Sequence, residues 1–311
     1  SVSPSGRYML ANTNFANYGA LFDLTRADLG TANPTPTQWP GDTNIRWRMS
    51  TWSPDEDRAM VSTASGDDRL ALINPMTGAT VQAHDAAGAN INLGENVNGE
   101  DVGTMPSWAP NDMNVAYIAN NNSWAGQTTT GNLVRLPVVN SSLDRFGTVA
   151  SIVASSVLDG RPEVGASATH GIFYPTWTPN SAWIAFAHGT SSRSDPRDAN
   201  GDWAAPSFAN TSALYLVRPN GTGLRRLDRG CTASAPEPED GSVVGPAGRS
   251  GLDFQPNFAP FEGGGYFWLS FLSRRPYGNT LTGNLGTTIQ PGQIWVMAVR
   301  MNAHGTMDPS E

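Results

Sequence analysis

The sequence predicts an all-β fold, a β-propeller of four-stranded antiparallel blades, on three observations. A short element recurs along the chain: an aromatic residue, a small residue, a proline and a turn former, each time followed by an apolar run. The 311 residues include 33 glycines and 23 prolines, a composition made for turns. The apolar runs are short and rich in β-branched and aromatic residues, which suits strands better than helices. Units of about 40–50 residues with about four strands each are the pattern of propeller blades.

The most complete copy is Tyr174-Pro-Thr-Trp-Thr-Pro-Asn-Ser-Ala-Trp-Ile-Ala-Phe-Ala-His188, which reads as strand, tight turn, strand. The first copy is Ser3-Pro-Ser-Gly-Arg-Tyr-Met-Leu-Ala11, without an aromatic residue in front. The second is Ser50-Thr-Trp-Ser-Pro-Asp-Glu-Asp-Arg-Ala-Met-Val61, and the third is Pro106-Ser-Trp-Ala-Pro-Asn-Asp-Met-Asn-Val-Ala-Tyr-Ile118. The fifth, Gln255-Pro-Asn-Phe-Ala-Pro-Phe-Glu-Gly-Gly-Gly-Tyr-Phe-Trp-Leu269, is degenerate after its proline. In each copy the proline presets φ for a turn, Asp, Asn, Ser or Gly complete it, and a strand follows. Third strands are expected to end at the turns Asn74 to Gly78 and Pro219 to Gly221. The segment Ser141 to Leu158 has some helical character, but its run Val149 to Ala154 fits an outer strand equally well. The tryptophans Trp52, Trp108 and Trp177 are expected to pack between blades.

The repeat resembles the WSPDG-type unit of TolB-like, WD40-like (PD40) β-propellers. The matching residues are Trp52-Ser-Pro-Asp55, Trp108-Ala-Pro-Asn111, Trp177-Thr-Pro-Asn180 and, less closely, Phe258-Ala-Pro-Phe261. The resemblance covers nearly the whole chain and implies a single propeller domain over 1–311. Its repeat units would run over about 1–46, 47–100, 101–168, 169–250 and 251–311. Five repeats are visible; six blades, common in TolB-like domains, are expected if the chain is a piece of a longer one. The resemblance also implies a bacterial periplasmic or cell-surface protein with protein partners, envelope components among them.

The formal charge is −8, and every basic residue is an arginine. No basic stripe or run appears, so a nucleic-acid partner is not expected. Cys231 is the single cysteine, which excludes an intrachain disulfide and a cysteine zinc cage and suits an oxidising compartment. No apolar run is long enough for a membrane-spanning helix. The four histidines, His84, His170, His188 and His304, form no His-x-His or His-Glu-x-x-His pattern, and no Gly-x-Ser-x-Gly elbow exists.

In a propeller the starts of the inner strands ring the channel mouth, and the loops between second and third strands share that face. The mouth residues are then Arg46, Arg48, Glu100, Asp101, Thr169, His170 and Asp253. Glu100, Asp101, Asp253 and His170 would suit a cation, although polar rimming of a wet channel explains them as well. The run Asp195, Asp198, Asn200 and Asp202 has calcium-loop oxygens without the full register or the closing glutamate, so a structural calcium ion and a plain solvated turn both remain readings. No other cofactor is expected. Trp124, Trp203, Arg274, Arg275 and Tyr277 lie in long loops and would suit an interface.

The reading that follows is a non-catalytic extracytoplasmic propeller, acting as a protein-interaction or scaffold module through its loop-rich face. The alternatives are a hydrolase or lyase with Asp101, His170 and Asp253 at the channel mouth, and a structural subunit of a larger envelope assembly.

Overall fold

The computed structural model describes residues 1–13, 18–25, 47–63, 69–93, 103–119, 130–161, 164, 170–190, 212–227, 253–273 and 293–300. They form two compact units, Ser1–Ala125 with Leu133–Ser151 and Gly126–Asn132 with Ile152–Glu311. Among the described residues the regular structure is β-strand, with two short 3-10 turns at Ser141–Leu143 and Ser155–Leu158.

Unit one begins with the hairpin β1 (Tyr8–Thr13) and β2 (Tyr18–Asp23). A meander follows: β3 (Trp47–Trp52), β4 (Ala59–Thr63), β5 (Leu70–Ile73) and β6 (Thr80–Val81), paired in chain order. The third sheet contains β7 (Ala83–Asp85), β8 (Asn90–Ile91), β9 (Thr104–Trp108), β10 (Asn114–Ala119), β11 (Asn132–Asn140), β12 (Arg145–Phe146) and β13 (Ala150–Val153). Its order is β8-β7-β12-β11-β10-β9, with β13 also on β11. This sheet departs from the four-stranded expectation because β7 pairs in parallel with β12, which carries part of the preceding repeat into its neighbour. The segment with helical character resolves as expected for an outer strand, in β13.

Unit two holds a four-stranded meander of β14 (Gly171–Trp177), β15 (Ile184–Gly189), β16 (Ser212–Val217) and β17 (Arg225–Arg226). A three-stranded one follows: β18 (Asp253–Gly263), β19 (Tyr266–Ser273) and β20 (Gln293–Arg300). Within each unit the first strands of successive sheets touch: β1 with β3, β3 with β9, and β14 with β18. That is how inner strands of neighbouring blades meet.

The repeated motif builds one hairpin four times. Ser3, Ser53, Ala109 and Thr178 each accept a backbone bond from the residue three further on and donate one to the residue five further on, at 2.8–3.0 Å. The third residue after each, Gly6, Glu56, Asp112 or Ser181, has φ between 58° and 73°. Ser3, Ser53 and Thr178 add a hydroxyl that receives the N–H of Tyr8, Arg58 and Trp183 at 3.1, 3.0 and 3.1 Å. Ala109 closes the same turn with its backbone alone. The fifth copy differs: β18 runs through Pro260 to Gly263 and reverses at Gly264 and Gly265, with φ of 65° and 82°. Two adjacent left-handed glycines make a tight hairpin turn that displaces the proline turn. A register shift between Phe258 and Glu262 tolerates Pro260, which lacks an N–H for the ladder.

Aromatic packing follows the expectation. Trp52, Trp108 and Trp177 are buried. Trp52 stacks on Tyr8 at 6.4 Å, and Trp108 meets Phe146 edge-on at 6.3 Å. Unit one's larger apolar cluster joins Met60, Leu72, Trp108, Tyr117, Leu136 and Phe146, and a smaller one joins Leu10, Leu21, Trp52, Val61 and Ile73.

Candidate functional site at the strand ends of unit two

One end of unit two's sheets collects buried polar side chains. β14 leaves this end, β15 returns to it and β16 leaves again, so Gly171, Gly189 and Ser212 stand in one row, with His170 just ahead of Gly171. β18 also leaves from here and β19 returns, which adds the direct cross-strand pair Asp253 and Ser273. His188, Ser212, Asp253 and Ser273 are each fully buried. Buried polar groups are costly unless they are partnered, so four at one edge form an unusual concentration. Ser212 Oγ has no hydrogen-bond partner among the described residues. At the opposite end, the buried Thr178 hydroxyl is used by its own turn.

The most organised part is a chain of three side chains. His170 Nε2 lies 2.9 Å from Asp159 Oδ1, and His170 Nδ1 lies 3.0 Å from His188 Nε2. The two rings are nearly perpendicular, at 81°. A carboxylate only accepts, so His170 Nε2–H donates to Asp159; neutral His170 then offers bare Nδ1, which accepts from His188 Nε2–H. The His188 ring is edge-on to Tyr215 at 5.9 Å, and Tyr215 stacks on Phe186 at 5.6 Å. Asp159 is exposed and His188 is buried, so the chain connects solvent to the interior. Such an arrangement can hold a proton on an imidazole and hand it along the line.

Local sequence explains how the three meet. Gly171 lets two backbones touch: it bridges Gly131, and Ile172 N–H donates to the Gly131 carbonyl at 3.0 Å. A Cβ at Gly171 would stand 2.6 Å from the Thr130 carbonyl carbon. The 3-10 turn Ser155–Leu158 is opened by Asn132 Oδ1, which accepts from Ser155 N–H at 2.8 Å, and pinned by the fully buried Leu158. Gly160, with φ of 70°, turns the chain away immediately after Asp159.

The first strands β9 of unit one and β14 and β18 of unit two each carry a bulge that composition does not announce. Met105, Tyr174 and Gln255 have φ of 53°, 53° and 50°, each three residues before the aromatic of its repeat. Left-handed backbone at non-glycine residues costs roughly 1–2 kcal/mol each. The bulges in β14 and β18 separate the polar strand ends from the regular ladder below.

Of the residues the sequence singled out, His170, just ahead of β14, and Asp253, the first residue of β18, come to this end, and the two strands touch. Arg48 lies in β3, with its side chain outside the described residues. Arg46, Glu100, Asp101, Trp124, Asp195, Asp198, Asn200, Asp202, Trp203, Arg274, Arg275 and Tyr277 all lie outside the described residues, as do Thr169, Cys231 and His304. Sequence reasoning missed Asp159, His188, Ser212 and Ser273 as members of this end. A signal existed for His188, the one ionisable residue in an otherwise apolar strand. The Arg225 guanidinium lies over the buried Trp183 ring at 4.8 Å, with that of Arg218 at 4.7 Å. Among the described residues no three His, Cys, Asp or Glu side chains are arranged to hold a metal ion. No described helix is long and apolar enough to cross a membrane.

The meander sheets, the touching first strands and the fourfold hairpin decide the architecture. This is an all-β chain of the β-propeller type. No family model matches it, and no curated protein does. Solved structures are similar at low identity. The putative TolB from Agrobacterium tumefaciens is 17% identical with a TM-score of 0.49, covering 98% of this chain and 76% of that one. TolB from Acinetobacter baumannii is 11% identical with a TM-score of 0.41, covering 94% and 52%. An oligogalacturonate lyase in complex with manganese is 12% identical with a TM-score of 0.47, covering 96% and 61%.

Proposed function

We propose that this chain is an extracytoplasmic recognition module that takes a protein partner at the end of unit two carrying His170 and Asp253. The observation that supports this is topological. Residues 191–211 join β15 to β16, 274–292 join β19 to β20, and 228–252 lead into β18, and each stretch is anchored at this end. Long connections leaving a rigid sheet scaffold are where recognition concentrates. The acidic charge and the absence of lysine steer the partner away from polyanions. Replacing 191–211, and separately 274–292, by glycine–serine linkers tests the reading in affinity capture from a bacterial envelope fraction. The expected result is loss of the same partner from both variants; retention by both overturns it.

A second reading, a hydrolase or lyase, is favoured by the chain Asp159–His170–His188. It requires turnover that His170→Ala abolishes and whose pH dependence His188→Gln alters. Partner capture unchanged in His170→Ala, together with no turnover, discards it.

A further inference from the structure

His170 commits both ring nitrogens to neighbours, Nε2 to Asp159 and Nδ1 to His188. A charged carboxylate only accepts, so Nε2 keeps its hydrogen. The 3.0 Å contact then needs one hydrogen between His170 Nδ1 and His188 Nε2. A first added proton leaves one hydrogen there, and Asp159 at the end of the line offsets the charge. A second sets N–H against N–H, with two like charges face to face.

The strands packed on β15 bring few other ionisable groups to this pair. Tyr174 is on β14, and Tyr215 on β16 meets the His188 ring edge-on. Arg226 stands opposite Tyr215 on β17, with Arg225 beside it, and Arg161 follows Asp159 on its turn. Asp253 and Glu262 belong to β18, which lies on the other face of β15: Thr176, opposite Ala185, accepts from Phe258 N–H at 3.2 Å. Alternation along β15 turns His188 away from the side of Ala185.

We propose that Asp159, His170 and His188 form a pH-sensitive latch that joins the heads of β14 and β15 and opens when both imidazoles are protonated. An ordinary imidazole takes its proton at about pH 6.5, which places the opening in mild acid. The unfolded chain accepts both protons freely, so the stability the contact gives is full above that range and is lost as pH falls through it. Gly189 ends β15 just ahead of 191–211, so an open latch loosens the root of that connection and weakens capture; this consequence rests on the recognition reading above.

Ring-nitrogen NMR of the histidine-labelled chain, from about pH 8 to about pH 5, tests the latch without a partner. The two rings are expected to titrate together in two steps, with protection factors at His188 and Gly189 falling at least ~10-fold across the second. In His188→Gln the amide can turn either its N–H or its oxygen to His170 Nδ1, so both protonation states are satisfied. That variant is expected to show a single His170 step and steady protection. Asp159→Asn, at an exposed position, keeps the acceptor without the charge and is expected to move both steps to lower pH. His84→Gln, outside the line, is expected to behave as the wild type. Independent single-step titration of the two rings overturns the proposal. So does an acid loss of protection that persists in His188→Gln, and so does an unmoved titration in Asp159→Asn. Capture is a separate arm: the wild type is expected to release at about pH 5.5 what it holds at about pH 7.5, and His188→Gln to lose that difference. Equal retention by the wild type at both overturns the gating. Retention by both linker variants sinks the recognition reading alone, and the ring titration still decides the latch.

Discussion

Tyr117 is fully buried, and its hydroxyl has no hydrogen-bond partner among the described residues. Burial pushes its phenol well above the ordinary value. An orphaned buried hydroxyl costs about 1–3 kcal/mol, whereas removing it leaves the ring packing unchanged. Tyr117→Phe is therefore expected to hold or raise stability by about 1 kcal/mol in chemical denaturation; a loss of that size would show that the hydroxyl is satisfied. Asp23 makes the opposite case. The Thr25 hydroxyl and N–H donate to its carboxylate, and Arg7 pairs with it at 3.2 Å, which holds its pKa down to about 2. An unfolded aspartate titrates near ~4, so the stability this group contributes is full above that pH and drains as pH falls towards about 2. Asp23→Ala is expected to flatten the acid limb of the stability curve in that window; an unchanged limb would place the acid sensitivity elsewhere. The forked pair of Arg58 with Asp144, at 2.7 and 3.1 Å, is half-buried and shorter than a surface contact needs to be. Asp144→Asn is expected to cost about 1–3 kcal/mol by leaving the guanidinium poorly matched.

At the scale of the element, Gly171 decides whether β14 can reach its place. Gly171→Ala drives a Cβ into backbone atoms that cannot yield like a flexible side chain. A loss of about 1–3 kcal/mol is expected, with the nitrogen chemical shifts of His170 and His188 moving together as their contact opens. Unperturbed shifts would mean that the segment 130–132 is pliant. The hairpins were legible in the sequence because proline, asparagine, serine and glycine each report a backbone requirement, and Ser3, Ser53 and Thr178 sit where that chemistry puts them. The bulges were not, because Met105, Tyr174 and Gln255 have no intrinsic reason to adopt a positive φ; packing imposes it. For the same reason Asp159 was invisible: it reaches His170 through a 3-10 turn whose anchor, Asn132, is distant in sequence. His170 and Asp253 could be placed at strand starts from the sequence because a repeat fixes where each inner strand begins. His188 stood out only as an imidazole in an apolar strand, a signal that does not say which neighbour it meets.

For the molecule as a whole, order is unevenly distributed among its sheets. All six residues of β15 and all six of β16 are buried, a feature unmatched by the other described strands of that length or more. Native-state hydrogen exchange is expected to be slowest in these two strands and fastest in β20, where exposed and half-buried residues alternate. Equal protection across the sheets would contradict the burial pattern.

The turn closed by Ala109 without any hydroxyl has a wider consequence. If four corners of unequal sequence share one backbone solution, a corner is a standard joint rather than a bespoke part. A gene encoding such joints can gain or lose a whole sheet by duplication or deletion without redrawing the ones beside it. Drift in the intervening connections then rewrites the surface while the framework stays put.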